Sequence, residues 1–477
     1  MAKRESPRTR RDHREDRGVL EVRLGGDATG SNAVIGDSRD AIEELLARAS
    51  RAQAEGRLAA AAELFRRALD RRPDFAPAWN ALGVVFLGLD RPAEAAAAFG
   101  AALRLDPDHP QAAYNLARLD QVGGRPEAAA ARYEALLRRH PGYGAAWHNL
   151  ADILRGQGRV EEALAAARRA VEAAPDLAEA WNLLGVLLDD LDRPAEAAAA
   201  YRSALERRPG YVAAHFNLGL SLQRAGRLEE AARHYRAVLA ARPGDASARF
   251  LLGSLGAADG ERAPAAPAEY VRRVFDGCAA RFEALLVDRL DYRTPEVLFE
   301  LVRPFVAPGV RILDLGCGTG LGSERYRPLA DLLVGMDLSP GMLAQAARKG
   351  TYDRLVEGDI LGDWGDVGDA FDLVVCADVL VYVGELGPVV RRVHRALAPG
   401  GLWAFSVEAL PDEPGAAEAP FRLCPTGRYQ HRVAAVEVLC AEAGLRLEAE
   451  RPATLRLEAG APVAGWLAVF RRPGGDP

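Results

Sequence analysis

The sequence is poor in cysteine. Five residues, Cys278, Cys317, Cys376, Cys424 and Cys440, are scattered along 477 positions; their number is odd and no two form a CxxC pair. That spacing argues against a disulfide-stapled scaffold or a thiolate zinc site and fits a reduced, cytoplasmic protein. The eight histidines are dispersed without metal-ligand spacing, so no metal is expected. No apolar run approaches a membrane span, and no early one resembles a signal peptide. Excess charge is missing too. A formal charge of −6 and a pI near 5.9 do not describe a chain that coats nucleic acid or an acidic membrane, although a local basic groove stays open.

What is present is an ordinary globular balance, 49% hydrophobic and 27% charged, long enough for two or three domains with full cores. Residues 1–40 are the exception. The first 18 are polar and charged with little to bury, and the segment is expected to be irregular or disordered. Then Pro73, Pro107, Pro141, Pro175, Pro209 and Pro243 recur every 34 residues, each closing a helical segment. Trp79, Trp147 and Trp181 hold one phase of that period, read as packing positions, and Leu82, Leu116, Leu150, Leu184 and Leu218 hold another. Gly83, Gly185 and Gly219 follow, where a small residue lets two helices approach closely. Asn115, Asn149 and Asn217 share a further phase; their amides either line a concave face and bond a bound chain or are ordinary exposed polar groups. The pattern resembles the tetratricopeptide repeat over residues 41–255. One such helix pair cannot bury its own apolar face, so stacking yields a continuous core and a concave surface. The repeat domain is placed at 41–256.

Residues 257–268, rich in Gly, Ala and Pro, read as a linker, and 269–477 as a second domain. This domain starts with an amphipathic helical stretch carrying Val271, Val274, Phe275, Cys278 and Phe282. The apolar run Val310–Leu315 then reads as a buried strand ending in Gly316-Cys317-Gly318-Thr319-Gly320. Glycines there permit a tight turn and close approach of backbone to a ligand. A second strand ends at Asp337, an acid placed to accept bonds from two ribose hydroxyls. Ser339 and Pro340 then start a helix. The alternation continues through Val356–Ile360, Phe371–Leu380, a helix before Pro399-Gly400-Gly401, and Leu402–Val407, as in an open parallel sheet.

The glycine turn and the segments after it resemble class I S-adenosylmethionine-dependent methyltransferases over about 295–470. The whole layout is similar to the predicted repeat-containing methyltransferases of bacteria. The fold expected is therefore an all-α tetratricopeptide-repeat solenoid followed by an α/β Rossmann-like class I methyltransferase domain. The resemblance implies S-adenosyl-L-methionine as cofactor. It implies Asp314 and Gly316 near the methionyl amino group, with Cys317, Gly318 and Gly320 in the turn and Asp337 at the ribose. Leu338 and Met342 would flank the adenine, with core packing as the alternative for Met342, and Asp359 and Ile360 would meet the adenine amine. It puts Asp378 close to where donor and acceptor meet, unless it caps a loop or helix.

Methyl transfer needs in-line placement and a nucleophilic acceptor, with a general base only for some acceptors. Tyr382, Glu408, Arg428, Tyr429 and His431 join Asp378 as candidates for that work; His431 could equally cap the next helix. The insertion at 409–430 is placed to wall the acceptor pocket. A long repeat groove suits an extended chain, so the leading expectation is transfer to a protein or peptide acceptor recruited by the repeats. The alternative is a small-molecule biosynthetic methyltransferase whose repeats bind a partner protein. The segment Ala377-Asp378-Val379-Leu380 lacks the Asn/Asp-Pro-Pro-Tyr/Phe element, and neither a nucleic-acid nor a membrane partner is indicated.

Overall fold

In the computed structural model the described residues are 36–257, 263–279, 282–283, 292–362, 364, 367–368, 370–411, 419–458 and 461–474. The expectation for residues 1–35 lies outside them. The chain divides into two compact units at Gly142/Tyr143, inside the repeats.

The first unit is a row of paired helices, α1 (Gly36–Ala54), α2 (Leu58–Arg71), α3 (Ala76–Gly88), α4 (Pro92–Leu105), α5 (Pro110–Val122) and α6 (Pro126–Arg139). Its core joins Leu45, Phe65, Leu82, Phe86 and Phe99 across four helices. The second unit opens with α7 (Gly144–Gly156), α8 (Val160–Ala173), α9 (Ala178–Asp190), α10 (Pro194–Arg207), α11 (Val212–Arg224), α12 (Leu228–Ala241) and α13 (Ala246–Ser254).

The tryptophan phase does more than pack. The indoles of Trp79 and Trp181 donate to the carbonyls of Pro73 and Pro175, each at 2.8 Å. In later repeats His215 and Arg249 make the same link to Pro209 and Pro243. The side chain at this position thereby satisfies a carbonyl that the helix end leaves without a backbone partner. Asn115 is buried and donates to Asn80 at 3.1 Å, and Asn217 donates to Asn182 at the same distance. These amides therefore bond between neighbouring repeats.

The glycine phase works by contact. A Cβ on Gly185 would lie 2.5 Å from the ring of buried Tyr201, and on Gly219 or Gly83 equally close to Tyr235 or Phe99.

The rest of the second unit begins with an isolated bridge between Ala265 and Val383, followed by α14 (Ala268–Asp276). After α15 (Thr294–Val302) the chain alternates β1 (Val310–Leu315), α16 (Ser323–Tyr326), β2 (Ala330–Asp337), α17 (Pro340–Lys349), β3 (Arg354–Glu357) and β4 (Phe371–Cys376). Next come α18 (Gly387–Ala396), β5 (Leu397–Ala409), β6 (Phe421–Leu423), β7 (Tyr429–His431), α19 (Val433–Glu442), β8 (Arg446–Glu458) and β9 (Ala461–Arg471). The order β3-β2-β1-β4-β5 is parallel throughout. β9 runs antiparallel to β5 and carries β8 on its other edge. The β6–β7 hairpin continues from the end of β5 at Glu408 and Ala409.

Strand alternation assigns each face a core. Leu313, Leu315, Val334, Met336, Trp403 and Phe405 pack with Val389, Val393 and Val436 of the helices on one side. Ile312, Leu333, Leu373, Val375 and Val469 pack with Leu298, Val302 and Tyr326 on the other.

The helix contact generates a test in which two effects oppose. Gly185→Ala should gain about 1 kcal/mol of helix propensity but lose about 1–3 kcal/mol to overpacking against Tyr201. The expected outcome is a lower midpoint in thermal or urea unfolding.

Candidate active site

The parallel strands end at one edge of the sheet, and the crevice there becomes a cavity. Its empty volume is about 1370 Å³ with the open mouth included. At the end of β1 the backbone turns through Gly316, Gly318 and Gly320, whose φ angles are +76°, +54° and +77°. Gly316 is the constrained member, because a Cβ there would lie 2.3 Å from Val379. At Gly318 the added atom would meet only Phe282, at 3.9 Å, so its backbone faces open space.

Asp314 sits under this turn at 8% exposure, with Tyr352 Oη donating to it at 2.6 Å. Burial pushes its carboxyl up to about 6, against the pull of that hydrogen bond. Asp337, at the end of β2, accepts from the backbone N–H groups of Gly318 and Ser339, each at 2.8 Å. Burial raises its pKa too, and the two amides counter it. Ser339 caps α17 through Met342 N at 3.0 Å, with Pro340 in the first turn. Past β3, Asp359 accepts from Leu361 N at 2.8 Å.

The cavity brings together Asp314, Gly316, Cys317, Gly318, Asp337, Leu338, Met342, Asp359 and Ile360 from the expected cofactor set. Gly320 is outside the lining: its N–H bonds Cys317 O and its Cα backs onto Tyr352. Of the expected catalytic set, Asp378, Tyr382 and Arg428 line the same cavity. Glu408, Tyr429 and His431 do not. Tyr429 is buried and donates to Ala263 O at 2.6 Å. His431 donates through Nε2 to Val383 O at 2.8 Å, and burial lowers its pKa to about 4. Nor does it cap α19, which starts without a side-chain cap. Strand pairing in the β6–β7 hairpin is what draws both rings inward.

Arg456 is the residue that sequence reasoning missed. It sits on β8, 2% exposed, and its guanidinium lines the cavity. Nη1 reaches both carboxylate oxygens of Asp378 at 3.1 Å, and Nη2 bonds Glu408. Glu408 is thus the buried counter-charge of Arg456, with its pKa raised by burial against the guanidinium's pull. Asp378 adopts a left-handed φ of +58°, which aspartate tolerates better than most residues. Its N–H is held by Ser406 Oγ at 2.8 Å. The signal was a charged residue between Leu455 and Leu457, legible only once the β8–β9 pairing is known. Tyr292 was missed as well; it lines the cavity, and burial followed by the nearby Asp378 raises its phenol pKa.

Chemically the cavity has two ends. One offers a buried, sparsely compensated carboxylate and an exposed glycine backbone, a setting for a cationic group. The other offers a fixed carboxylate, two guanidinium groups and two phenols.

Two stability outcomes follow. Arg456→Met leaves Asp378 and Glu408 facing each other and should cost about 3–5 kcal/mol in denaturant unfolding; adding Asp378→Asn and Glu408→Gln should recover most of that. For Asp314 the folded pKa lies above its ordinary value, so the carboxylate costs stability above about pH 6, and the cost fades as pH falls towards 4. Asp314→Asn should therefore raise the melting temperature at pH 8, by up to roughly 3 kcal/mol of stability, and much less at pH 4.5.

Comparison with known proteins agrees with this geometry. Residues 313–405 match the methyltransferase domain family, and 46–178 and 190–255 match tetratricopeptide repeats. Among curated relatives, a ubiquinone biosynthesis O-methyltransferase of Azorhizobium caulinodans is 32% identical over 20% of this chain and 40% of its own length. A dTDP-4-amino-2,3,4,6-tetradeoxy-D-glucose N,N-dimethyltransferase of Saccharopolyspora spinosa is 34% identical over 24% of this chain and 47% of its own. A trans-aconitate 2-methyltransferase of Methylobacterium nodulans is 32% identical over 30% of this chain and 59% of its own. The chain thus spans about half the length of these relatives. It is a tetratricopeptide-repeat protein carrying a methyltransferase domain of the class I fold.

Proposed function

We propose that this protein transfers a methyl group from S-adenosyl-L-methionine to a small-molecule acceptor, while its repeats bind a partner protein. One observation carries the reading: a single cavity joins the glycine turn and its acids to the Asp378–Arg456 pair. When bound, the cofactor supplies a methyl group activated on a sulfonium.

The residues fit that group. Asp314 would face the methionyl ammonium, since a buried carboxylate with one phenolic partner gains from a cation. The Gly318 backbone leaves room for close approach, since a Cβ there would meet only Phe282 at 3.9 Å. Asp337, fixed by two amides, would accept the ribose hydroxyls; Leu338 and Met342 would cover the adenine, and Asp359 would accept from its amine. At the other end Asp378 would accept a hydrogen bond from the acceptor's hydroxyl or amine, in an orientation that Arg456 fixes. Tyr292, Tyr382 and Phe275 would shield the reacting atoms from water.

The cavity shape favours the small-molecule acceptor over the peptide expected from the repeats. Its acceptor end is walled by aromatic rings and roofed by α14, a setting for a compact, partly apolar molecule. The relatives' names, covering ubiquinone biosynthesis, a nucleotide sugar and trans-aconitate, point the same way.

The test supplies methyl-labelled S-adenosylmethionine and the purified protein to a cell extract and separates polypeptides from small molecules. Enzyme-dependent label should appear in the small-molecule fraction and vanish with Gly316→Leu, whose side chain collides with Val379. Label in a polypeptide would replace this reading with the protein acceptor.

A further inference from the structure

The cavity roof is held from behind by the repeats. Helix α14 turns Val271 and Phe275 into the cavity. Its Tyr270 points the other way, with its ring 5.3 Å from that of Phe250 on α13, a side chain 1% exposed. Arg273 places its guanidinium 4.3 Å from the centre of the Phe216 ring on α11. Where α14 ends, Arg155 of α7 donates to Gly277 O at 3.2 Å.

A second link reaches the acceptor end. Gln223 of α11 accepts from Tyr235 Oη and donates through Nε2 to Pro425 O. Pro425 opens the turn that delivers Arg428 to the cavity. In that turn Gly427 has φ +74°, and a Cβ there would stand 2.8 Å from Tyr270 Oη and 3.6 Å from Leu251. So α14, the Arg428 turn and α13 meet around Tyr270 and Phe250.

The far side of α14 grips the loop after β2. Asp276 Oδ1 accepts from Ser339 Oγ at 2.6 Å and from Gly341 N at 3.0 Å. Arg272 donates to Leu338 O at 3.3 Å and to Glu357 at 3.2 Å. One nine-residue helix therefore spans from the repeat core to the loop that carries Leu338 and the first turn of α17, which carries Met342.

We propose that Phe250 and Gln223, residues of the repeats, are positioning residues for the methyl-transfer site. Phe250 sets α14 against the cofactor loop, and Gln223 sets the turn bearing Arg428. The cavity is then complete only with the repeats docked, and a partner that shifts α11 or α13 alters cofactor affinity through the same contacts. This rests on the cofactor reading above.

The test uses the full-length chain and S-adenosylhomocysteine as probe, with affinity from calorimetry and backbone hydrogen exchange over 268–277 and 424–429. Phe250→Ala should weaken binding about tenfold and speed exchange in both segments. Phe250→Leu should restore most of the affinity. Gln223→Ala should speed exchange in 424–429 with a smaller loss, about threefold. Phe65→Ala, an equal truncation in the core of residues 36–142, should change neither readout. Unchanged affinity and exchange in folded Phe250→Ala would overturn the proposal. If Phe250→Ala does not fold, Phe250→Leu and Gln223→Ala decide it, and wild-type behaviour in both overturns it. Failure of the unsubstituted chain to bind the probe would instead sink the cofactor reading, and this proposal with it.

Discussion

The site depends on holding carboxylates in the crevice at the ends of parallel strands. β1, β2 and β4 deliver Asp314, Asp337 and Asp378 to one crevice, where desolvation penalises the charges of Asp314 and Asp337. Each acid is compensated differently. Two backbone amides of the glycine turn and the following loop hold Asp337. A buried guanidinium holds Asp378. Among the described residues the Tyr352 phenol donates to Asp314, whose pKa burial raises to about 6. Strain at the same edge, in the left-handed φ of Asp378, is offset by the sheet packing on both faces.

The repeats obey a different constraint. Each short helix pair is stable only through its neighbours, so the sequence repeats whatever makes that stacking work. Close approach needs a small residue opposite an aromatic ring, as at Gly185 and Tyr201. Turn carbonyls need a donor, supplied by Trp79, Trp181, His215 or Arg249 at one phase. At the end of the array this regularity breaks. Phe250 no longer faces another repeat but meets Tyr270 of α14 and Tyr429 of β7. α14 and β7 thus occupy the place of the next repeat in covering an apolar end.

How much of this was legible in the sequence depended on range. The period of 34, the glycine turn and the acid ending β2 are local patterns, and local patterns survive without coordinates. Ser339 as a helix cap is another. Long-range pairing was not legible. Arg456 lies 78 residues from Asp378 and 48 from Glu408, and only the β8–β9 hairpin returns it to the site. The same limit hid the fate of Tyr429 and His431. They stand beside Arg428 in sequence, but the hairpin turns Arg428 to the cavity and the two rings into the protein. The contacts of the Gly-, Ala- and Pro-rich linker were hidden for a similar reason: Ala265 bridges Val383 and Ala266 N bonds Tyr382 O at 2.8 Å, pairings more than 100 residues apart in sequence.

The central claim is that Asp314 makes this cavity a site for a cationic cofactor. Its surroundings are the phenols of Tyr292, Tyr326 and Tyr352, the thiols of Cys317 and Cys376, and Asp337; burial raises the pKa of every one. The direct measurement is calorimetric binding of S-adenosylmethionine from pH 5 to 8, for the unsubstituted chain and for Asp314→Asn. The account predicts tight binding at pH 8, weakening towards tenfold per unit below about pH 6 with proton release on binding, and a flat, weak profile for Asp314→Asn. Binding that ignores pH, or that survives Asp314→Asn unchanged, would contradict it.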